Sequence, residues 1–362
     1  MASAAHAAAQ RESASACCRR HFEFAADRLA LAPLLRAQIA HPFREMRSVL
    51  SISSDDGRVR QFESFRVQHN GMRGPMLAPL TLRQGMTLDQ ARMHAELMTW
   101  KAAACGAPFG GACAAVNCDP RTLSESERDR LMREWTRRQS GISGHYTDVE
   151  VTSSLQQDEM TAVGIATLVR ESAATADVAT VGLRVAVQGT GDIAQQICQV
   201  LSNDPSVSLL RQRTDWIDQS SSVPTLSRVD ILEAPCDVLI LTEESVLNSN
   251  TAVAVRAKVV IEAVDAACTL LGELVLLRLG IQVVPDVIAG AAQVAAIRTG
   301  WEELQMQKPA SAHDRIAGVT RTVRTAYRSS CEWAQQGNMT LREAAYCMAI
   351  ERLARAEKLR LS

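Results

Sequence analysis

Apolar residues recur at helical spacing from His21 to His41, the pattern of a helix with one buried face. From Ser48 to Asn70 the chain alternates in character, in two stretches that flank Asp55-Asp56-Gly57. That predicts a hairpin closed by an Asp-Gly turn. Thr87-Leu-Asp-Gln90 and Ser124-Glu-Ser-Glu127 have the form of capping boxes, in which a hydroxyl and a carboxyl or amide side chain satisfy each other's free backbone N–H groups. The first opens a helix to about Ala104 whose apolar face uses Leu88, Ala91, Ala95, Met98 and Ala102. The second opens a helix carrying Arg128, Arg130, Arg133, Arg137 and Arg138, interleaved with Leu131 and Trp135 and set among Glu125, Glu127, Asp129 and Glu134, which reads as a solvated basic face.

After Thr152 the pattern changes. Leu183 to Gln188, Val207 to Leu210, Val238 to Leu241, Val259 to Ile261 and Ile281 to Val284 are short β-branched runs separated by helical segments. Continuous apolar strands of this kind belong in a parallel sheet covered on both faces, a doubly wound α/β domain. A third capping box, Thr340-Leu-Arg-Glu343, opens a last helix with an apolar stripe of Leu341, Ala344, Ala345, Met348, Ala349 and Leu353. The predicted organisation is a tail over 1–18, an N-terminal α/β domain over 19–152, a Rossmann-like doubly wound domain over 153–330, and a C-terminal helix over 331–362 that packs back toward the N-terminal domain.

Composition narrows the function classes. A length of 362 residues suits about two domains, and 47% apolar content supports real cores. With 39 basic and 40 acidic residues, no global charge draws the chain to nucleic acid or to an anionic membrane. Aromatic content of 4% argues against base-stacking platforms. The ten cysteines include no CxxC pair and no His-rich partner segment, so the sequence indicates neither a zinc ribbon nor a disulfide framework. The longest apolar stretch, Val253 to Val264, is broken by Arg256, Lys258 and Glu262, far short of a membrane span. The Ala/Ser-rich first sixteen residues read as a disordered tail, and a cytoplasmic location is expected; were they a leader, the location would be an organelle matrix.

One motif carries specific chemistry. Leu183 to Gln188 ends in Gly189-Thr-Gly191-Asp192-Ile193-Ala194, followed by the helical run Ile197, Val200, Leu201. Gly189 permits a tight turn, Gly191 a close approach of backbone to a pyrophosphate, and Ala194 close helix packing, with the free N–H groups of the helix start facing the ligand. At the end of the next strand, where an acidic residue would hold a ribose hydroxyl, the chain has Arg211 and Arg213, with Asp215 two residues on. Either arginine could meet a 2′-phosphate, which favours NADP over NAD, or both are surface residues.

From about His21 to the end, the chain resembles the glutamate/leucine/phenylalanine/valine dehydrogenases, within them the hexameric glutamate dehydrogenases. The resemblance rests on Asp56-Gly57, Phe65-Arg-Val-Gln-His-Asn70, Leu97-Met-Thr-Trp-Lys101, Pro108-Phe-Gly-Gly111, Asp119-Pro120, Val185-Ala-Val-Gln-Gly189, Val284-Pro-Asp286, Ala344-Ala-Tyr346 and Ile350-Glu-Arg352, all in family order. It implies an N-terminal domain that binds an amino acid, a second domain that binds NAD or NADP, and oxidative deamination between them. In such enzymes a lysine of depressed pKa, helped by an aspartate, manages water and protons. The implied assembly is a homo-oligomer, and the implied partners are an amino acid or a nucleotide.

Carried over residue by residue, the resemblance gives a degraded site. Lys101 matches one substrate lysine. The catalytic lysine of the family's GGxKGG run falls at Cys113 in Gly110-Gly-Ala-Cys-Ala-Ala115, and a carboxylate-binding lysine falls at Leu77. The catalytic aspartate is represented by Asp148 or Glu150, and the cofactor-contacting threonine by Thr161, after a segment several tens of residues shorter than in the family. Glu262-Ala-Val-Asp265 stands for the family's EGAN, Ala289-Gly-Ala-Ala-Gln-Val294 for its ANAGGV loop, and Ile297 for a serine that contacts glutamate. Cys113 is either a substitute proton donor or a small buried residue. The expectation is a dehydrogenase relative with impaired or lost catalysis, or a non-catalytic nucleotide-binding or oligomer-partner protein.

Overall fold

The computed structural model describes residues 14–139, 148–152, 155–213 and 223–361. They form two compact units, residues 29–152 with 349–361 and residues 14–28 with 155–348.

The N-terminal unit is built on a five-stranded sheet of β1 (Arg44–Ser53), β2 (Val59–Asn70), β3 (Met76–Leu82), β4 (Gly110–Val116) and β5 (Asp148–Thr152), in the order β1-β2-β4-β3-β5. The hairpin forms where expected: Gly57 takes φ +82, and the Ser54 amide donates to the Arg58 carbonyl at 2.8 Å. Two helices follow α1 (Ala14–Arg28) and α2 (Pro33–Ala40) in the chain: α3 (Leu88–Ala104) and α4 (Glu125–Gln139). Both start in the predicted capping boxes; the Gln90 amide donates to Thr87 Oγ1 at 3.3 Å, and the Glu127 amide to Ser124 Oγ at 3.1 Å.

Strand β4 decides the packing. Alternate side chains of a strand face opposite sides. Ala112, Ala114 and Val116 join Leu50, Ile52, Phe62, Leu131 and Trp135 on the α4 side, whereas Cys113 and Ala115 join Phe65, Val67, Met86, Ala91 and Ala95 on the α3 side. Every residue of β4 is buried. Sequence pattern does not announce this strand, because Gly-Gly-Ala-Cys-Ala-Ala has low strand propensity; its central position supplies what propensity lacks. The two glycines there are packing requirements. A Cβ on Gly111 would overlap the Thr99 amide of α3, and one on Gly110 would overlap the Asn70 carbonyl.

The second unit is doubly wound. Its strands are β6 (Leu183–Gln188), β7 (Val207–Gln212), β8 (Thr225–Leu226), β9 (Val238–Leu241), β10 (Val259–Glu262) and β11 (Gln282–Val284), ordered β11-β10-β9-β6-β7-β8 with every pairing parallel. Numbered from its first strand, that order is 6-5-4-1-2-3, the dinucleotide-binding arrangement with its switch point between β6 and β9. Around the sheet run α5 (Leu155–Thr175), α6 (Asp192–Ser202), α7 (Asp230–Glu233), α8 (Leu270–Arg278), α9 (Asp286–Ala289), α10 (Ala291–Met306) and α11 (Ala312–Gly337); α12 (Leu341–Leu361) follows, its residues up to Met348 belonging here.

Helix α1 also belongs to this unit, and it begins at Ala14, inside the segment assigned to the tail. Cys17 and Cys18 are buried there with Phe22, Ala25 and Ala26, since a thiol packs as a small hydrophobe. The remainder of that tail, 1–13, lies outside the described residues. No described helix is long and apolar enough to cross a membrane.

Gly111→Ala should lower the stability of the N-terminal unit by about 3 kcal/mol through overpacking against α3, read as a shift in the denaturant midpoint at unchanged slope.

Candidate functional site

At the switch point the glycine turn has a strained and a free position. Gly189 holds φ +106, and a Cβ there would overlap Thr242 Oγ1 at the end of β9. No other residue type meets both demands. Gly191 is the N-cap of α6, has no side-chain cap, and faces open space. The helix start therefore keeps free N–H groups. The turn is braced from beneath: Gln212 Oε1, at the end of β7, accepts the Gly189 amide at 2.9 Å, and Thr242 Oγ1 donates to the Gln188 carbonyl at 2.7 Å. Ala194 is buried under the turn, Ile193 half-buried, and Asp192 exposed.

Charge works against that shape. Asp192 stands at the first helical position of α6, where its carboxylate occupies the positive end of the dipole that a phosphate would use. The Asp158 carboxyl in α5 is pushed up, chiefly by burial and further by the charge of Asp192. Glu243 also borders the turn and pairs with Arg228 at 2.9 Å. Arg213 is exposed with its amide donating to the Leu226 carbonyl at 2.7 Å, and the Arg211 Nε lies buried without a hydrogen-bond partner. Asp215 lies outside the described residues. Thr161 donates its hydroxyl to the Gln157 carbonyl of its own helix at 2.8 Å.

In the N-terminal unit, Lys101 is buried in the last turn of α3. Two residues before it, Thr99 Oγ1 meets His69 Nδ1 at 2.8 Å, and the His69 ring packs edge-on against Trp100. Burial drives the His69 pKa down to about 3, so the ring is neutral, and its Nε2 has no hydrogen-bond partner. Cys113 lies opposite Val67 within the apolar cluster under α3. Register across the sheet runs Gly111, Leu77, Val149. Asp148 and Glu150 thus sit on β5, beside Met76 and Ala78 of β3, with β3 between them and the Cys113 strand. Leu77 is fully buried.

Two family profiles match the chain: "Glu/Leu/Phe/Val dehydrogenase, dimerisation domain" over residues 42–164 and "Glutamate/Leucine/Phenylalanine/Valine dehydrogenase" over residues 206–360. The chain belongs to this amino-acid dehydrogenase family. It is 26% identical to a glutamate dehydrogenase of Aeropyrum pernix, across 89% of this chain and 92% of that one. Among solved structures, it superposes on a hetero-hexameric glutamate dehydrogenase from Thermus thermophilus in a leucine-bound form, with a TM-score of 0.85, 25% identity and coverage of 94% and 96%. It also shares its fold with glutamate dehydrogenase from Peptoniphilus asaccharolyticus, at a TM-score of 0.78, 22% identity and coverage of 96% and 99%.

The expected positions separate by what they touch. Gly110, Gly111 and Gly189 are retained where a side chain would collide with backbone or with Thr242. The last two glycines of the family's run are Ala114 and Ala115, both fully buried. Ile297, in place of a polar contact, is buried in α10.

Sequence reasoning missed one constellation. Arg342, at the start of α12, is almost fully buried and meets three carboxylates: Glu262 at 2.8 Å, Glu273 at 2.7 Å and Asp286 at 2.7 Å. Burial pushes the Glu262 carboxyl up to about 7 despite the arginine. Two of the four residues, Glu262 and Asp286, lie in matched family motifs, but nothing in sequence shows that they converge on Arg342.

Two measurements follow. His69, charged in the unfolded chain below pH ~6.5 and neutral in the folded one down to about 3, contributes stability present above its unfolded pKa and lost as pH falls toward the folded value. The stability difference between wild type and His69→Gln should therefore change by up to about 1 kcal/mol per pH unit across that window and be flat above it, as read by denaturant titration. Asp192→Asn should tighten binding of NAD or NADP about fivefold by removing about 1 kcal/mol of like-charge repulsion, measured by calorimetry.

Proposed function

We propose that this chain is a dehydrogenase-fold subunit without the family's deamination chemistry, acting as a ligand-binding and assembly partner rather than as the catalyst. The observation that carries the reading is Cys113. It stands at the family's lysine position, with its strand buried and its neighbours Phe65, Val67, Met86, Ala91, Ala95 and Ala115 apolar. Loss of a positioned acid/base costs ~10²- to 10⁴-fold in rate. Leu77, buried where a carboxylate-binding cation is expected, removes substrate affinity as well.

The glycine turn after β6 supports nucleotide binding as the remaining function. Gly189, Gly191 and the uncapped start of α6 fit a pyrophosphate, with Asp192 weakening the fit. The group they would hold is NAD or NADP, whose nicotinamide supplies a hydride acceptor when bound. The Thermus thermophilus relative is a hetero-hexamer that holds leucine. This supports a mixed assembly in which one type of chain binds an amino acid and another performs the chemistry.

The test is NAD- and NADP-linked turnover of glutamate, leucine, phenylalanine, valine and tryptophan by the purified chain, alone and co-expressed with a catalytically intact family member. The expected result is no turnover by the chain alone, with co-purification in one oligomer. Turnover by the chain alone at rates typical of dehydrogenases, abolished by Cys113→Ala, would overturn the proposal and establish a rearranged active site.

A further inference from the structure

The face of α1 that packs into the doubly wound unit carries Cys17 and His21, four residues apart and so one above the other on the same side of the helix. Both are buried, and opposite them lies Glu273 of α8, itself buried. The Cys17 sulfur, a His21 ring nitrogen and a Glu273 carboxylate oxygen all lie within 4.8 Å of one another. His21 Nε2 is 3.9 Å from Glu273 Oε2 and has no hydrogen-bond partner in a residue only 6% exposed. An unpaired buried nitrogen is unfavourable until it gains a partner.

Local charge is unbalanced as well. Arg342 supplies one positive charge to Glu262, Glu273 and Asp286, three acids in a dry pocket. Burial of charge in excess of its partners is strongly unfavourable. Arg342 Nε already donates to Glu273 Oε2 at 2.7 Å, which orients the carboxylate in the way outer partners orient metal ligands.

We propose that Cys17, His21 and Glu273 form a binding site for a divalent transition metal, zinc in the first instance, which staples α1 to the doubly wound unit. A sulfur, an imidazole nitrogen and one carboxylate make a borderline-soft donor set, suited to zinc or cobalt and unsuited to magnesium or calcium. Tetrahedral zinc places its donors about 3.3–3.8 Å apart, so the trio closes by about 1 Å through side-chain rotation. The metal takes the Cys17 thiol as thiolate, releasing one proton to solvent. Two positive charges arrive and one negative charge forms, a net gain of one positive charge beside the buried acids. The fourth coordination position is left to a small ligand such as water. The role is structural, since the donors come from a helix face and a buried helix start.

The full-length untagged chain, purified without chelator, should contain about one equivalent of zinc by elemental analysis. After removal of that metal, titration with Co²⁺ should produce a thiolate-to-cobalt charge-transfer band with the intensity of a four-coordinate site, saturating at one equivalent. Cys17→Ser should abolish the band and His21→Gln should weaken binding at least tenfold, whereas Cys18→Ser, one residue away on α1, should leave both unchanged. Should Cys17→Ser fail to fold, Glu273→Gln provides the second route, with weaker binding and a shifted visible spectrum at retained thiolate absorption. Chelation should lower the melting temperature of wild type and leave that of Cys17→Ser unmoved. A Co²⁺ titration without thiolate absorption, or a band that survives Cys17→Ser, would overturn the site.

Discussion

Four elements of the doubly wound unit that are far apart in sequence meet at Arg342. Its guanidinium ties the start of α12 to the end of β10 through Glu262, to α8 through Glu273 and to α9 through Asp286. Asp286 passes the constraint on, since its other oxygen accepts the Ala266 amide at 2.8 Å while its own amide donates to Glu262 at 3.2 Å. Removing one member of a buried ionic set leaves uncompensated charge and typically costs about 3–5 kcal/mol. A set of three acids on one arginine is therefore a fixed point: the segments that carry these residues are not free to drift independently.

The chain divides into positions fixed by sterics and positions at which the family resemblance leads one to expect polar groups. Gly110, Gly111 and Gly189 survive because no side chain fits. Cys113, Leu77 and Ile297 stand where a resemblance to dehydrogenases leads one to expect polar or cationic groups, and each is buried, Cys113 within an apolar cluster. Packing thus accounts for retention, and it does so without any appeal to turnover. The glycine turn belongs with the first group: its strained residue fits beneath Thr242 whether or not a phosphate is bound.

Much of this was legible before any coordinates. All three capping boxes and the Asp-Gly turn form, although the hairpin's first strand begins four residues before its run, at Arg44, and five of the six parallel strands lie within two residues of the runs that announced them, because each is governed by local hydrogen bonding or by a continuous apolar run. Strands β3, β4 and β5 were not legible. Their small or mixed residues take strand geometry from neighbours that are distant in sequence. The start of α1 was misread as tail because cysteine and alanine carry no amphipathic signal strong enough to show burial. At the site, the glycines were readable from spacing, whereas Gln212 beneath the turn and the convergence on Arg342 were not, since both depend on tertiary register.

Gln212 has a consequence of its own. The strut that holds the glycine turn is a neutral amide, at the strand end where a dinucleotide fold ordinarily places an acid for sugar recognition. Neither acid nor added electrolyte can loosen an uncharged brace, although both dissolve the exposed arginine pairs around it. The loop's contour is thereby insulated from its ionic surroundings.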